Sequence, residues 1–102
     1  MAIRVLIERR VEPANKLRLG QLLVNLRSRA MQAEGYISGE TLRSLEDPND
    51  ILVISTWNSV EEWQRWESSA ERKALQAQID SLLTEKSKTR IFVYPRWGDF
   101  CA

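Results

Sequence analysis

Residues 51–66 read Ile51-Leu52-Val53-Ile54-Ser55-Thr56-Trp57-Asn58-Ser59-Val60-Glu61-Glu62-Trp63-Gln64-Arg65-Trp66, and this stretch decides the fold. From Ile51 to Trp57 the chain is rich in β-branched and aromatic residues and free of Gly and Pro, which predicts a strand. Leu52 and Ile54 fall on one face of it, Ile51, Val53 and Trp57 on the other, so both faces are apolar. Asn58-Ser59 ends the strand. Ser59 with Glu62 three residues on has capping-box spacing, and Val60, Trp63 and Trp66 then share one side of a helix. Ser69 offers a second cap, and Ala70, Ala74, Leu75, Ile79, Leu82 and Leu83 carry a helical stripe to about Thr84.

Outward from this segment the pattern is equally regular. Tyr36 to Glu46 reads as a strand joined to the first by the turn Asp47-Pro48-Asn49-Asp50, giving a hairpin. Ahead of it, Leu19, Leu22, Leu23, Leu26, Ala30 and Ala33 form the stripe of a long helix over about residues 14–34, begun near Pro13 and closed by Gly35. Ala2 to Arg10 alternates Ile3, Val5, Ile7 against Arg4, Leu6, Glu8, a strand with one buried face. Lys88 to Trp97 is the last strand, and Pro95 near its end requires an edge position or departure from the sheet. The order β-α-β-β-α-β predicts an α+β ferredoxin-like sandwich, two helical segments on one side of a four-stranded antiparallel sheet. Residues 1–97 then form the domain and 98–102 a tail.

Composition agrees. A chain of 102 residues with 43% hydrophobic and 28% charged residues is one ordinary globular domain, which excludes a disordered or collagen-like chain. Residues 1–35 carry seven basic and three acidic groups, net +4, and residues 36–102 eight and eleven, net −3. The overall net charge of +1 argues against binding nucleic acid through bulk charge. An RNA-recognition module shares the element order, but the third strand lacks the basic residues such a module uses. A single cysteine, Cys101, with no apolar run long enough for a membrane span and no leader-like segment, predicts a cytoplasmic protein away from membranes. There is no histidine, so the commonest general base and metal ligand are both missing.

With helices on one face only, the remaining sheet face would expose large apolar groups. A second sheet, most simply from an identical chain, is expected to cover it through Ile51, Val53, Phe92 and Tyr94.

Glu34-Gly35-Tyr36-Ile37, Ile54-Ser55-Thr56-Trp57-Asn58-Ser59, Glu62-Trp63 and Trp66 with Ser68 together resemble the antibiotic biosynthesis monooxygenase (ABM) domain, a branch of the dimeric α+β barrel superfamily, over about residues 3–96. The resemblance implies two sheets facing each other in a homodimer, with a cleft in each chain between sheet and helices. It also implies oxygenase chemistry on a small electron-rich aromatic, quinol or anthrone-like, without metal, flavin or other cofactor. A non-catalytic dimer that binds a small ligand is the alternative. On this reading Trp66, Trp57 and Tyr36 supply aromatic surface for the ligand, and Asn58 and Arg9 orient it. Each has a plainer role beside that one: core packing for the tryptophans, turn chemistry for Asn58, solvation or pairing for Arg9. No base stands out, since Glu8, Glu40 and Glu62 all suit the surface and Glu62 suits a helix cap. The heme-degrading branch of the superfamily has a histidine ten residues after the tryptophan corresponding to Trp66; here that position is Gln76, and heme degradation of that kind is not expected.

Overall fold

In strand β1 (Ile3–Arg10) every second side chain is buried, Ile3, Val5, Ile7 and finally Arg9, because one face meets the helices and the other does not. The computed structural model describes residues 1–101. β1 pairs on one side with β3 (Asp50–Trp57) and on the other with β4 (Lys88–Val93), while β2 (Tyr36–Arg43) lies outside β3. The sheet order is β2-β3-β1-β4 with every neighbouring pair antiparallel. Helices α1 (Lys16–Ala30), α2 (Val60–Glu67) and α3 (Ala70–Asp80) complete an α+β ferredoxin-like fold. Among the described residues no helix is long and apolar enough to cross a membrane.

Several boundaries differ from the sequence reading for local reasons. Residues 13–15 form a 3₁₀ turn ahead of α1, and α1 closes at Ala30, with further turns leading to Gly35. α3 ends at Asp80, after which Glu12 N–H donates to the Leu82 carbonyl and Thr84 N–H to that of Arg10, so the chain is already returning to the sheet. β4 is an edge strand and stops at Val93, ahead of Pro95. Trp97–Phe100 adds an exposed 3₁₀ turn in the segment expected to be a tail, its start held by Asp99 accepting from Arg96 N–H at 2.8 Å.

Register corrects the expected partner face. Val53 stands opposite Ile7 and Ile51 opposite Arg9, so both lie on the helix side of the sheet. Phe92, opposite Arg4, does lie on the open side, and its apolar neighbours there are Leu6, Leu52, Ile54 and Leu42 in place of Ile51 and Val53. Either assignment was compatible with a strand apolar on both faces, and only pairing with β1 separates them.

The core has two parts. Ile3, Val5, Ile7, Ala30, Trp57, Trp63 and Trp66 pack at one end, and Val11, Leu19, Leu22, Leu75 and Ile79 at the other. In the β1 alternation Arg9 falls between them.

Gly35 fixes how α1 turns into β2. Its φ of 90° favours glycine, and a Cβ there would stand 2.5 Å from Glu62 Cδ. Its carbonyl accepts from Asn58 N–H at 2.8 Å, tying the start of β2 to the end of β3. Gly35→Ala should therefore lower stability by about 2 kcal/mol or more, counting the left-handed backbone and the contact with Glu62. A urea unfolding curve should show a lower midpoint at unchanged slope.

Candidate functional site

Trp57 is the last residue of β3, where the strand hands over to α2. Its ring is nearly perpendicular to Tyr36 (centroids 5.4 Å, 87°), tilted against Trp63 (5.7 Å, 65°) and stacked with Trp66 (6.5 Å, 24°). Such pairs contribute roughly 0.5–1.5 kcal/mol each beyond area burial. The Trp57 indole N–H donates to Ser55 Oγ at 3.0 Å, whereas Trp63 Nε1 is buried with no acceptor. Helical spacing puts Trp63 and Trp66 on the face of α2 turned to the sheet, and Ser59 starts that helix by accepting from Glu62 N–H at 3.2 Å. Tyr36 folds back along β2 onto Gly39, where a Cβ would lie 2.5 Å from the phenol oxygen.

Beside this cluster is a cavity of about 60 Å³ between β2, β3 and the helices. Ile7, Leu26, Tyr36, Trp57 and Trp66 give it apolar walls; of its three arginines Arg27 is exposed, and Arg9 and Arg72 are the buried ones. Arg9 is 1% exposed. Its Nη2 donates to Gln76 Oε1 at 2.9 Å, and Gln76 Nε2 in turn donates to Asp80 Oδ1 at 2.7 Å. Nε and Nη1 of Arg9 are buried without partners. Arg72, 8% exposed, lies over the Trp63 ring with its guanidinium carbon 5.2 Å from the centroid. Among the described residues the ion pairs formed by arginine belong to Arg4, Arg10, Arg29 and Arg65, none to Arg9 or Arg72.

Burial, then repulsion from Arg72, brings the Arg9 guanidinium down to about 10, against a smaller opposing pull from Asp80. Burial likewise lowers Arg72, opposed by Glu67 and Asp80. Arg9 still carries its proton at neutral pH, so two positive charges sit in a largely apolar pocket.

Carboxylates are engaged elsewhere. Glu62 Oε1 accepts from the Ser59 hydroxyl at 3.0 Å. Glu8 is on the open face, where the neighbouring Asp50 carboxylate, by hydrogen bonding and by its charge, raises it from its ordinary value. Glu40 borders the cavity by position, but its carboxylate faces Arg4 at 3.9 Å. No three histidine, cysteine or acidic side chains gather as a metal site among the described residues.

Of the residues expected at the ligand, Trp66, Trp57, Arg9 and Tyr36 line this one cavity. Asn58 does not: it is exposed in the turn after β3, its N–H bonded to Gly35. Arg72, Trp63 and Gln76 were not singled out as ligand contacts. A signal for Arg72 was present, since it stands three residues before Leu75 and seven before Ile79, within the buried stripe of α3. Trp63 packs in the core and also borders the cavity.

The sequence profile of the antibiotic biosynthesis monooxygenase family matches residues 2–78, and the chain belongs to that family. Its fold is similar to that of a conserved protein from Methanosarcina mazei Go1 (20% identity, TM-score 0.88, covering 93% of this chain and 94% of that one). It is also similar to SnoaB, described as a cofactor-independent oxygenase from Streptomyces nogalater (13%, TM-score 0.81, 93% and 94%). A third similar fold is a Bacteroides thetaiotaomicron protein described as a possible oxidoreductase (22%, TM-score 0.82, 91% and 97%). Comparison with curated protein sequences gave no match.

A buried guanidinium with one hydrogen bond is a cost to the fold. Its folded-state value lies below that of the unfolded chain, so above about pH 10 the unfolded chain binds more protons and stability gains from this group as pH rises. At neutral pH the full penalty is present. Arg9→Met keeps the bulk without the charge and should raise stability by about 1–3 kcal/mol in urea unfolding at neutral pH.

Proposed function

We propose that the chain is a cofactor-independent monooxygenase of a small electron-rich aromatic, bound in the cavity between sheet and helices. The observation that carries this is the aromatic wall, Tyr36, Trp57, Trp63 and Trp66 beside one cavity, in a chain of this family. Aromatic faces suit a flat ring at little entropic cost. A phenol or quinol, once ionised, can give an electron to dioxygen from its own ring, so the protein's tasks are to hold, orient and dry the substrate. Size selects among substrates. A cavity of about 60 Å³ is below the ~150 Å³ that holds a benzene ring. Even a one-ring quinol therefore needs the walls to move apart, and a three-ring anthrone needs far more.

The second reading, a ligand-binding protein without turnover, is favoured by the lack of a free base in the cavity: there is no histidine, and the carboxylate of Glu40, the acidic residue bordering it, faces Arg4. Oxygen uptake over a panel of quinols and anthrones, run beside tryptophan fluorescence quenching, separates the two. Uptake with a one-ring quinol is the expected result, and quenching without uptake would favour the binding protein. Trp66→Ala should weaken ring binding at least ten-fold in a chain that still folds. Trp63→Ala should cost about 3–5 kcal/mol of stability, as a buried tryptophan truncation does.

The same reading takes a second copy of the chain as the cover of the open sheet face and places the protein in the cytoplasm. Leu6, Leu52, Ile54 and Phe92 form an apolar area there, and burying it returns roughly 25 cal/mol per Å². Ile54→Lys should yield a monomer or an aggregate in sedimentation, where the unmodified chain sediments as a dimer. A unmodified chain that stays monomeric at high concentration would remove the case for a dimer.

A further inference from the structure

We propose that Arg9 and Arg72 form the anion-binding end of this cavity and hold a phenolic ligand there as its phenolate, the guanidinium pair taking the place of a base. The inference rests on the aromatic-ligand reading above and adds the charge state of that ligand. Three buried polar atoms of the cavity's lining residues lack partners: Arg9 Nε, Arg9 Nη1 and Trp63 Nε1. All three are N–H donors. The other buried atoms without partners belong to Arg4, Asn49 and Asp50, which do not line it. What would satisfy this pocket is therefore a hydrogen-bond acceptor.

Charge points the same way. Neither guanidinium has a carboxylate within ion-pair distance among the described residues, and Asp80 reaches Arg9 only through Gln76. An anion is thus favoured over a neutral acceptor. Its shape is constrained as well. One of the two hydrogens on Nη2 is taken by Gln76, which occupies one edge of the guanidinium, and the unmet N–H groups of Nε and Nη1 are left to receive the ligand's oxygen. A phenolate brings that oxygen on a flat ring matched to Trp57 and Trp66. On binding, the ligand's O–H bond breaks, the proton leaves to bulk water, and both arginines keep theirs. The anion left behind is the electron-rich form that reacts with dioxygen.

The test uses 4-nitrophenol, whose phenolate is coloured and whose phenol is not, and 4-nitroanisole, the same ring with no ionisable proton. With the intact chain, bound 4-nitrophenol should ionise about one pH unit lower than free, which corresponds to a ~10-fold preference for phenolate. Arg9→Gln and Arg72→Gln should each abolish most of that shift, while 4-nitroanisole, read by tryptophan quenching, still binds. Melting curves establish that each variant folds, and Arg72→Gln decides alone if Arg9→Gln does not. Binding of both compounds with no shift in the intact chain overturns the proposal and leaves the aromatic cavity standing. A shift that persists in the folded variants also overturns it. If neither compound binds, the aromatic-ligand reading fails and the proposal falls with it.

Discussion

The burial of Trp57 is the contact on which the arrangement depends. The side chain is at the end of the strand that pairs with both β1 and β2, and it meets Tyr36 from β2 and Trp63 and Trp66 from α2. One indole thus adds side-chain packing to the β2–β3 ladder and fastens α2 onto it. The turn after it is correspondingly determined, with Asn58 N–H on the Gly35 carbonyl and Ser59 capping α2. Gly35 must be glycine for the chain to reverse there, and its bare Cα also lets Glu62 approach. Packing of one aromatic residue, one helix cap, one backbone tie and one glycine together set the angle at which α2 meets the sheet, and hence where the cavity opens.

Arg9 works against that order. The β1 alternation would place an aliphatic residue at position 9, between the two halves of the core, and a guanidinium is there instead. Its single hydrogen bond to Gln76, steadied by Asp80, fixes the group without neutralising it. Arg72 adds a second charge nearby on α3. Buried groups with unmet donors tend to be found where function rather than stability has set the residue. The contrast with Arg10, one residue on, is instructive: it faces the other side, half exposed, and meets Asp47, Asp50 and Glu85.

Much of the fold was legible because its signals are local. Alternation identified β1, Ser59 and Ser69 marked both helix starts and accept from Glu62 and Arg72 N–H, and Gly35 marked the end of the first helical segment. Long-range pairing was not legible. β3 is apolar on both faces, and its parity relative to the helices follows only from Ile7 facing Val53 across the ladder. The cavity was legible in part for a related reason. Aromatic residues near the strand ends attract notice as ligand surface, but a charged residue in a helical stripe, like Arg72, reads as solvated until its neighbours Leu75 and Ile79 prove buried. Asn58 shows the converse, a polar residue beside the right tryptophan that the turn directs away from the cavity.

β3 also shows how one strand serves two surfaces. Val53, Ser55 and Trp57 look toward the cavity, and Leu52, Ile54 and Thr56 toward the open face. Neighbours along the chain are therefore neighbours of different chemistry: Ser55 accepts from the Trp57 indole inside, while Ile54 beside it adds to an apolar outer area. A strand buried on one side only would alternate with polar residues, as the outward Glu40 and Ser38 of β2 do. The central strand does not, and neither does the outward Leu6 of β1 next to it. The apolar outer residues are thus concentrated on the central strands, with Phe92 of β4 and Leu42 of β2 beside them, while Ser38 and Glu40 of β2 are polar. A stripe of that kind, running along the middle of a sheet and bordered by charged residues such as Arg4, Glu8 and Arg90, has the layout of a patch that is buried at its centre and wet at its rim.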